Sequence, residues 1–285
     1  MDKSGLKRVL RITSLLVVMS LVGGCLVSEG DTPPTINRTT NDVRTIVSGD
    51  FYLYDITGQI TNIDGTSRTV TGTLKVEYTA DTLPEPFSQS GFIPDIFLEV
   101  TTLTLGSTSY TTNRYIQQNS NGSLQVLAAT SGGELFRTSS DDVTTTLNPI
   151  VYMASPVPVT GDDSIDFRYM RGCETTSNNC DQGVAMTVAE SVTYSGDAVI
   201  DTNVGRFNTL RLDFSGSITA NFDNLLFDFR GACTTRGASY EGQAFVFPEV
   251  GIVFYDYLCT SADASGISHN FRVRLSQTNV PIPEP

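Results

Sequence analysis

The chain has 285 residues, with 31 acidic and 18 basic side chains, a single histidine and a net charge of −13. A surface this acidic repels phosphate chains and excludes nucleic acid as a partner, because binding it needs clustered Lys and Arg. Tryptophan is absent, so Phe and Tyr must supply the large apolar rings of any core.

The chain opens with Lys3, Lys7, Arg8 and Arg11, then an apolar run from Ile12 to Val22, then Gly23-Gly24-Cys25. About eleven apolar positions fall short of the roughly 20 that span a bilayer, but they suit the core of a signal peptide. Val22-Gly23-Gly24-Cys25 resembles the lipobox of bacterial lipoproteins. That resemblance implies cleavage after residue 24, a lipid thioether on Cys25 and a further acyl chain, such as palmitate, on the new amine. Several chains hold far better than one, so the membrane itself is an expected partner. Proteins of this type kept at the inner membrane usually carry Asp after the cysteine. Leu26 stands there, which implies the outer membrane of the cell envelope.

Residues 25–48 read as a flexible tether, rich in Ser, Thr, Asn and Pro. So polar a segment buries too little to offset its ordering entropy, and about 23 coil residues reach roughly 25 Å. From Gly49 the pattern changes. Phe51 to Asn62 is aromatic and β-branched, and Asp64-Gly65 is a hairpin signal. Val70, Gly72, Leu74, Val76 and Tyr78 alternate with polar residues, the period of a half-buried strand. Leu83 to Pro94 reads as a proline-rich loop. Strands follow at Ile96–Leu105, Ser109–Gln118, Leu124–Ala129 and Glu134–Arg137, then a polar stretch to Asn148.

Pro149 to Thr160 reads as an edge, and Ile165–Met170, Val184–Ser195, Ala198–Thr202 and Phe207–Phe214 as strands. Ser217 to Arg230 holds one strand or two, Glu241–Phe247 and Ile252–Leu258 flank a Pro248–Gly251 turn, and His269–Gln277 closes the sheet. Residues 279–285 form a proline-rich tail. About thirteen strands with frequent turns predict an all-β fold: a large curved antiparallel sheet, as an open half-barrel or a sandwich. Gly49-Asp50 and Gly161-Asp162 each lead into an aromatic strand, which suggests two related halves, 49–148 and 149–278.

With Cys25 lipidated, Cys173, Cys180, Cys233 and Cys259 remain, an even number that reads as disulfides in an exported chain. Three connectivities are possible. Nearness in sequence favours Cys173–Cys180 and Cys233–Cys259, each worth about 2–4 kcal/mol. No Cys-x-x-Cys occurs and His269 is not spaced with a cysteine, so no metal site is read here.

The stretch Gly205-Arg206-Phe207-Asn208-Thr209-Leu210, followed by Phe245-Val246-Phe247-Pro248-Glu249-Val250-Gly251-Ile252-Val253, resembles exported bacterial β-proteins of unknown function. What the resemblance implies is an open half-barrel related to periplasmic lipoprotein carriers, with Gly205 and Gly251 in turns and Phe207 and Val253 in the core. The chain departs from that pattern in having Phe245 or Phe247 where a tryptophan is frequent.

Nothing in the chain spells out catalysis. His269 is the sole histidine and no Gly-x-Ser-x-Gly turn accompanies it, so no triad is assigned and His269 reads as a solvent-facing strand residue. A pair of glycosidase carboxylates cannot be picked from so many acids. Asp141-Asp142 and Asp162, Asp163 and Asp166 read as loop acids; the latter lack the spacing and glycine of a calcium loop. No cofactor fingerprint is present. The expectation is therefore a non-enzymatic envelope lipoprotein that binds an apolar ligand or an envelope protein. The alternative is a structural or adhesive lipoprotein, with a carbohydrate-active enzyme further behind. An apolar cleft of several hundred Å³ favours ligand binding; a filled core favours the structural reading.

Overall fold

The computed structural model describes residues 32–83, 95–131, 134–139, 150–171, 184–220, 237–261 and 266–285. Residues 1–31 with Cys25, the loop 84–94, Asp141-Asp142, Cys173, Cys180 and Cys233 lie outside the described residues. Among the described residues there are fourteen strands and no helix. Their cause is the alternation seen in the sequence. In β2 (Phe51–Thr61), Tyr52, Tyr54, Ile56 and Ile60 are buried, while Asp55, Thr57 and Gln59 between them are exposed.

The topology is a meander in which nearly every strand pairs with its neighbours in sequence. β2, β3 (Ser67–Ala80), β4 (Ile96–Leu105), β5 (Thr108–Gln118) and β6 (Leu124–Ser131) run antiparallel in order. β7 (Glu134–Ser139) and β8 (Ile150–Met153) pair with different parts of β6. β9 (Thr160–Arg171), β10 (Val184–Asp201), β11 (Arg206–Ala220), β12 (Gly237–Phe247), β13 (Gly251–Ser261) and β14 (Ser268–Thr278) complete the series, and β14 pairs with β2. The result is one large curved antiparallel sheet. It is not closed along its whole length. β9 pairs with β7 only across Arg168–Arg171, so Thr160–Phe167 has no sheet neighbour on that side among the described residues. Exposed Asp162 and Asp166 sit on that stretch, and charge on an edge discourages pairing with another chain.

The sheet turns its apolar face inward. Three inward glycines each lie opposite an aromatic residue: Gly58 faces Phe271, Gly242 faces Phe214 and Gly216 faces Tyr240. A Cβ on Gly58 would come within 2.1 Å of the Asn270 carbonyl oxygen and 2.6 Å of the Phe271 ring. The missing side chains let ring atoms of Phe271, Phe214 and Tyr240 come up against the backbone, which admits strong curvature. Phe136, Phe207, Phe247 and Phe271 are fully buried, and the Phe207 and Phe247 rings stand 5.1 Å apart. The outer face carries exposed Thr57, Thr71, Thr111, Thr193, Ser215 and Glu241. That alternation is the reverse of a lipid-facing barrel, whose apolar band points outward.

Four expectations change. The tether expected to reach Ser48 is folded from Thr35 onward. There, β1 (Thr35–Asn37) pairs parallel with β11, Ile36 and Ile46 are buried, and the Ile46 N–H donates to Gln118 Oε1 at 2.8 Å. The expected boundary at residue 148 separates no cores: Thr35–Pro285 is one compact unit, and one apolar cluster joins Tyr52 and Tyr54 to Val192 and Phe214. β9 begins at Thr160, so Asp162 and Asp163 are strand residues rather than loop acids. β10 is continuous through Asp201, because a bulge after Tyr194 carries it past Gly196 where a break was expected. The structural roles expected of the later motif hold: Phe207 and Val253 are buried, and Gly251, at φ +131°, opens β13 after its turn.

Phe247→Ala should lower unfolding free energy by about 3–5 kcal/mol in chemical denaturation. Thr111→Ala on the outer face should stay within about 0.5 kcal/mol of the parent; equal effects would contradict this account of the core.

Candidate functional site

Three polar or hollow places are candidates, and the interior comes first. On the inward face, Tyr78, Glu99 and Arg114 stand in one cross-strand row over β3, β4 and β5. The Arg114 Nε–H donates to Glu99 Oε1 at 2.7 Å, and the Tyr78 hydroxyl donates to Glu99 Oε2 at 2.7 Å. Both charged side chains are buried, at 2% and 3% exposure. A second inward carboxylate, Glu190 on β10, accepts the Tyr240 hydroxyl at 2.9 Å. Where the N-terminal arm crosses, Arg44 pairs with Asp50 at 2.6 Å, and the Tyr52 hydroxyl donates to the Val250 carbonyl at 2.7 Å. Burial pushes the Tyr52 phenol up to about 12, against the pull of Arg44. A hollow beside Arg44, Tyr52, Glu99 and Arg114 measures about 60 Å³, and another among Val192, Phe214 and Val246 about 30 Å³. That is space for a water or two in each, so the described side chains around them are closely packed.

The second place is a recess of about 610 Å³ at the end of the sheet where the β2–β3 and β4–β5 turns lie. Ile60, Val70, Leu103, Leu105, Tyr110 and Phe271 give it an apolar inner wall, and Asn62, Arg68 and Thr108 stand among its polar residues. Register explains the arrangement. Arg68 on β3 pairs with Ile60 on β2, Ile60 with His269 on β14, and His269 with Cys259 on β13. All four therefore share the inward face, with Arg68 exposed. His269 stacks on Phe271 with centroids 5.5 Å apart. No Asp or Glu is among the described residues that line the recess.

The third is a shallow polar groove of about 550 Å³ on the outer face. Thr193, Asp213, Gln243, Asp256 and Arg272 form one row across β10 to β14. Burial raises the Asp256 carboxyl above its ordinary value, partly offset by Arg272 and Arg211.

The residues singled out from sequence fall unevenly on these places. His269 is not solvent-facing as expected; strand parity turns it inward to the recess wall. Cys259 is buried and disulfide-bonded. Asp162 and Asp163 stand on opposite faces of β9, so the acidic run does not converge. Among the described residues, no group of three His, Cys, Asp or Glu is placed to hold a metal. Sequence reading missed Glu99 and Arg114. Their signal was parity: Glu99 shares the alternation of Thr101 and Leu103, the inward face.

No known protein family matches the chain, and no curated protein does. Two solved structures are similar to it. One is described as an exported protein with a YmcC-like fold, from Bacteroides fragilis: 11% identical, covering 84% of this chain and 99% of that one, TM-score 0.31. The other is described as a lipoprotein from Parabacteroides distasonis: 11% identical, covering 85% and 99%, TM-score 0.25. With both scores below 0.5, neither likeness carries weight for function.

Glu99→Gln should cost about 3–5 kcal/mol, because it strands the buried Arg114 charge; a near-neutral change in denaturation would refute that pairing. Asp256 bears on pH. A carboxyl whose folded pKa is raised stabilises the fold below its unfolded pKa, and that contribution is lost as pH rises through the folded value. The melting temperature of Asp256→Asn relative to the parent should therefore climb as pH rises from below the ordinary Asp value of about 3.9 through the raised folded value. A flat difference would contradict the raised value.

Proposed function

We propose that this protein is a cell-envelope lipoprotein, anchored through acyl chains on Cys25, and that its curled sheet is a non-enzymatic binding module for an apolar ligand. The recess is the seat of that ligand. Its volume of about 610 Å³ is the observation that carries the reading, with apolar side chains forming about half of the lining, since ligand sites run roughly 300–1,000 Å³. The Lys and Arg flank, the short apolar run and Gly23-Gly24-Cys25 support the anchor, and Leu26 supports the outer membrane. The non-enzymatic reading is supported by the engagement of the inward acids: Glu99 is held by Arg114 and Tyr78, and Glu190 by Tyr240.

A structural or adhesive lipoprotein without a ligand is the second reading, and the close packing around Glu99 and Phe214, with hollows of only about 60 and 30 Å³ there, favours it. Native mass spectrometry of protein taken from its own envelope separates the two. A co-purifying apolar molecule, lost in Leu105→Asp, supports the module; bare protein from envelope after envelope supports the scaffold. In the same cells, Cys25→Ser should move the protein from membrane to soluble fraction, and persistence on the membrane would defeat the anchor.

A further inference from the structure

We infer that the recess selects an anionic amphiphile, an alkyl chain ending in a carboxylate, with Arg68 meeting the head group. The inference rests on the recess being a binding site and adds the ligand's chemistry. Three observations carry it.

The first is charge. The chain carries a net −13, yet the described lining of the recess contains no Asp or Glu. On so acidic a molecule a described wall without acids repels an anion less than the acid-bearing surface around it.

The second is Arg68 itself. Arg38, Arg44, Arg114 and Arg211 each face a carboxylate within 2.6 Å. Arg68 makes no ion pair among the described residues, and its planar fork of donors matches a carboxylate.

The third is direction. Arg68 and Ile60 are a cross-strand pair on the inward face, and Val70, Leu103 and Phe271 lie further along that wall. An extended chain whose head rests at exposed Arg68 runs from polar rim to apolar depth. Asn62 and Thr108 add neutral donors at the rim without reversing the charge preference.

The test compares laurate with uncharged 1-monolaurin, which has the same chain and no carboxylate. Both are titrated calorimetrically, below their micellar concentrations, into the full chain carrying Cys25→Ser. Laurate should bind more tightly than monolaurin. Arg68→Gln should weaken laurate about fivefold, the scale of one exposed charge-assisted contact, and leave monolaurin unchanged. Leu105→Ser should weaken both, and thermal melts of each variant verify that it folds. Laurate binding that ignores Arg68→Gln, or equal losses for both probes, would overturn the selectivity while keeping the recess as a site. Failure of both probes to bind the parent would overturn the site and the inference together.

Discussion

Every other feature depends on how tightly the sheet curls. An apolar face on a strand series this long must meet itself or lie open to water, and hydrophobic burial stabilises the first by about 25 cal/mol per Å². Curling to that degree needs places where the wall gives up side-chain volume. Gly58 beneath Phe271, Gly242 opposite Phe214 and Gly216 opposite Tyr240 are those places. Each exchanges a Cβ for an aromatic ring laid against backbone. A chain without tryptophan can thus pack Phe and Tyr across its interior, with hollows of water size beside Glu99 and beside Phe214.

The buried ions fit the same frame. Glu99 and Arg114 lie in the inward row, where desolvation opposes each charge and only mutual pairing offsets it. Replacing both with apolar residues could keep the stability. What the pair adds is register. A slip of β4 against β5 by one residue would turn one charge outward and leave the other buried alone. In a meander of similar Thr-rich strands, such a marker is worth having.

Much of this was legible in the chain. Val70, Leu74, Val76 and Tyr78 declared a half-buried strand by parity alone, and Asp64-Gly65 and Pro248–Gly251 marked turns where turns are found. The arm from Thr35 to Ser48 was not legible, because its order comes from distant partners: Ile46 on Gln118, Val43 on Ser155, Arg44 on Pro248. Composition sees the polar residues and not the groups that receive them. The recess was hidden for the same reason. Ile60, Arg68, Leu103, Tyr110 and Phe271 come from five strands, and only register brings them to one wall. His269 was misplaced although Phe271, Val273 and Leu275 after it carry the same inward parity, because its own polarity was read before its place in that alternation.

The unequal seams of the wall have a dynamic consequence. Among the described residues, β11 and β12 are joined across ten residue pairs, and β7 meets β6 and β9 across four each. A partial opening follows the line that breaks the fewest bonds. Among the described seams that line runs along β7, on one side or the other, so the molecule has a built-in direction of breathing. Its long hairpins stay zipped while one flank loosens, and solvent reaches the interior from that flank first.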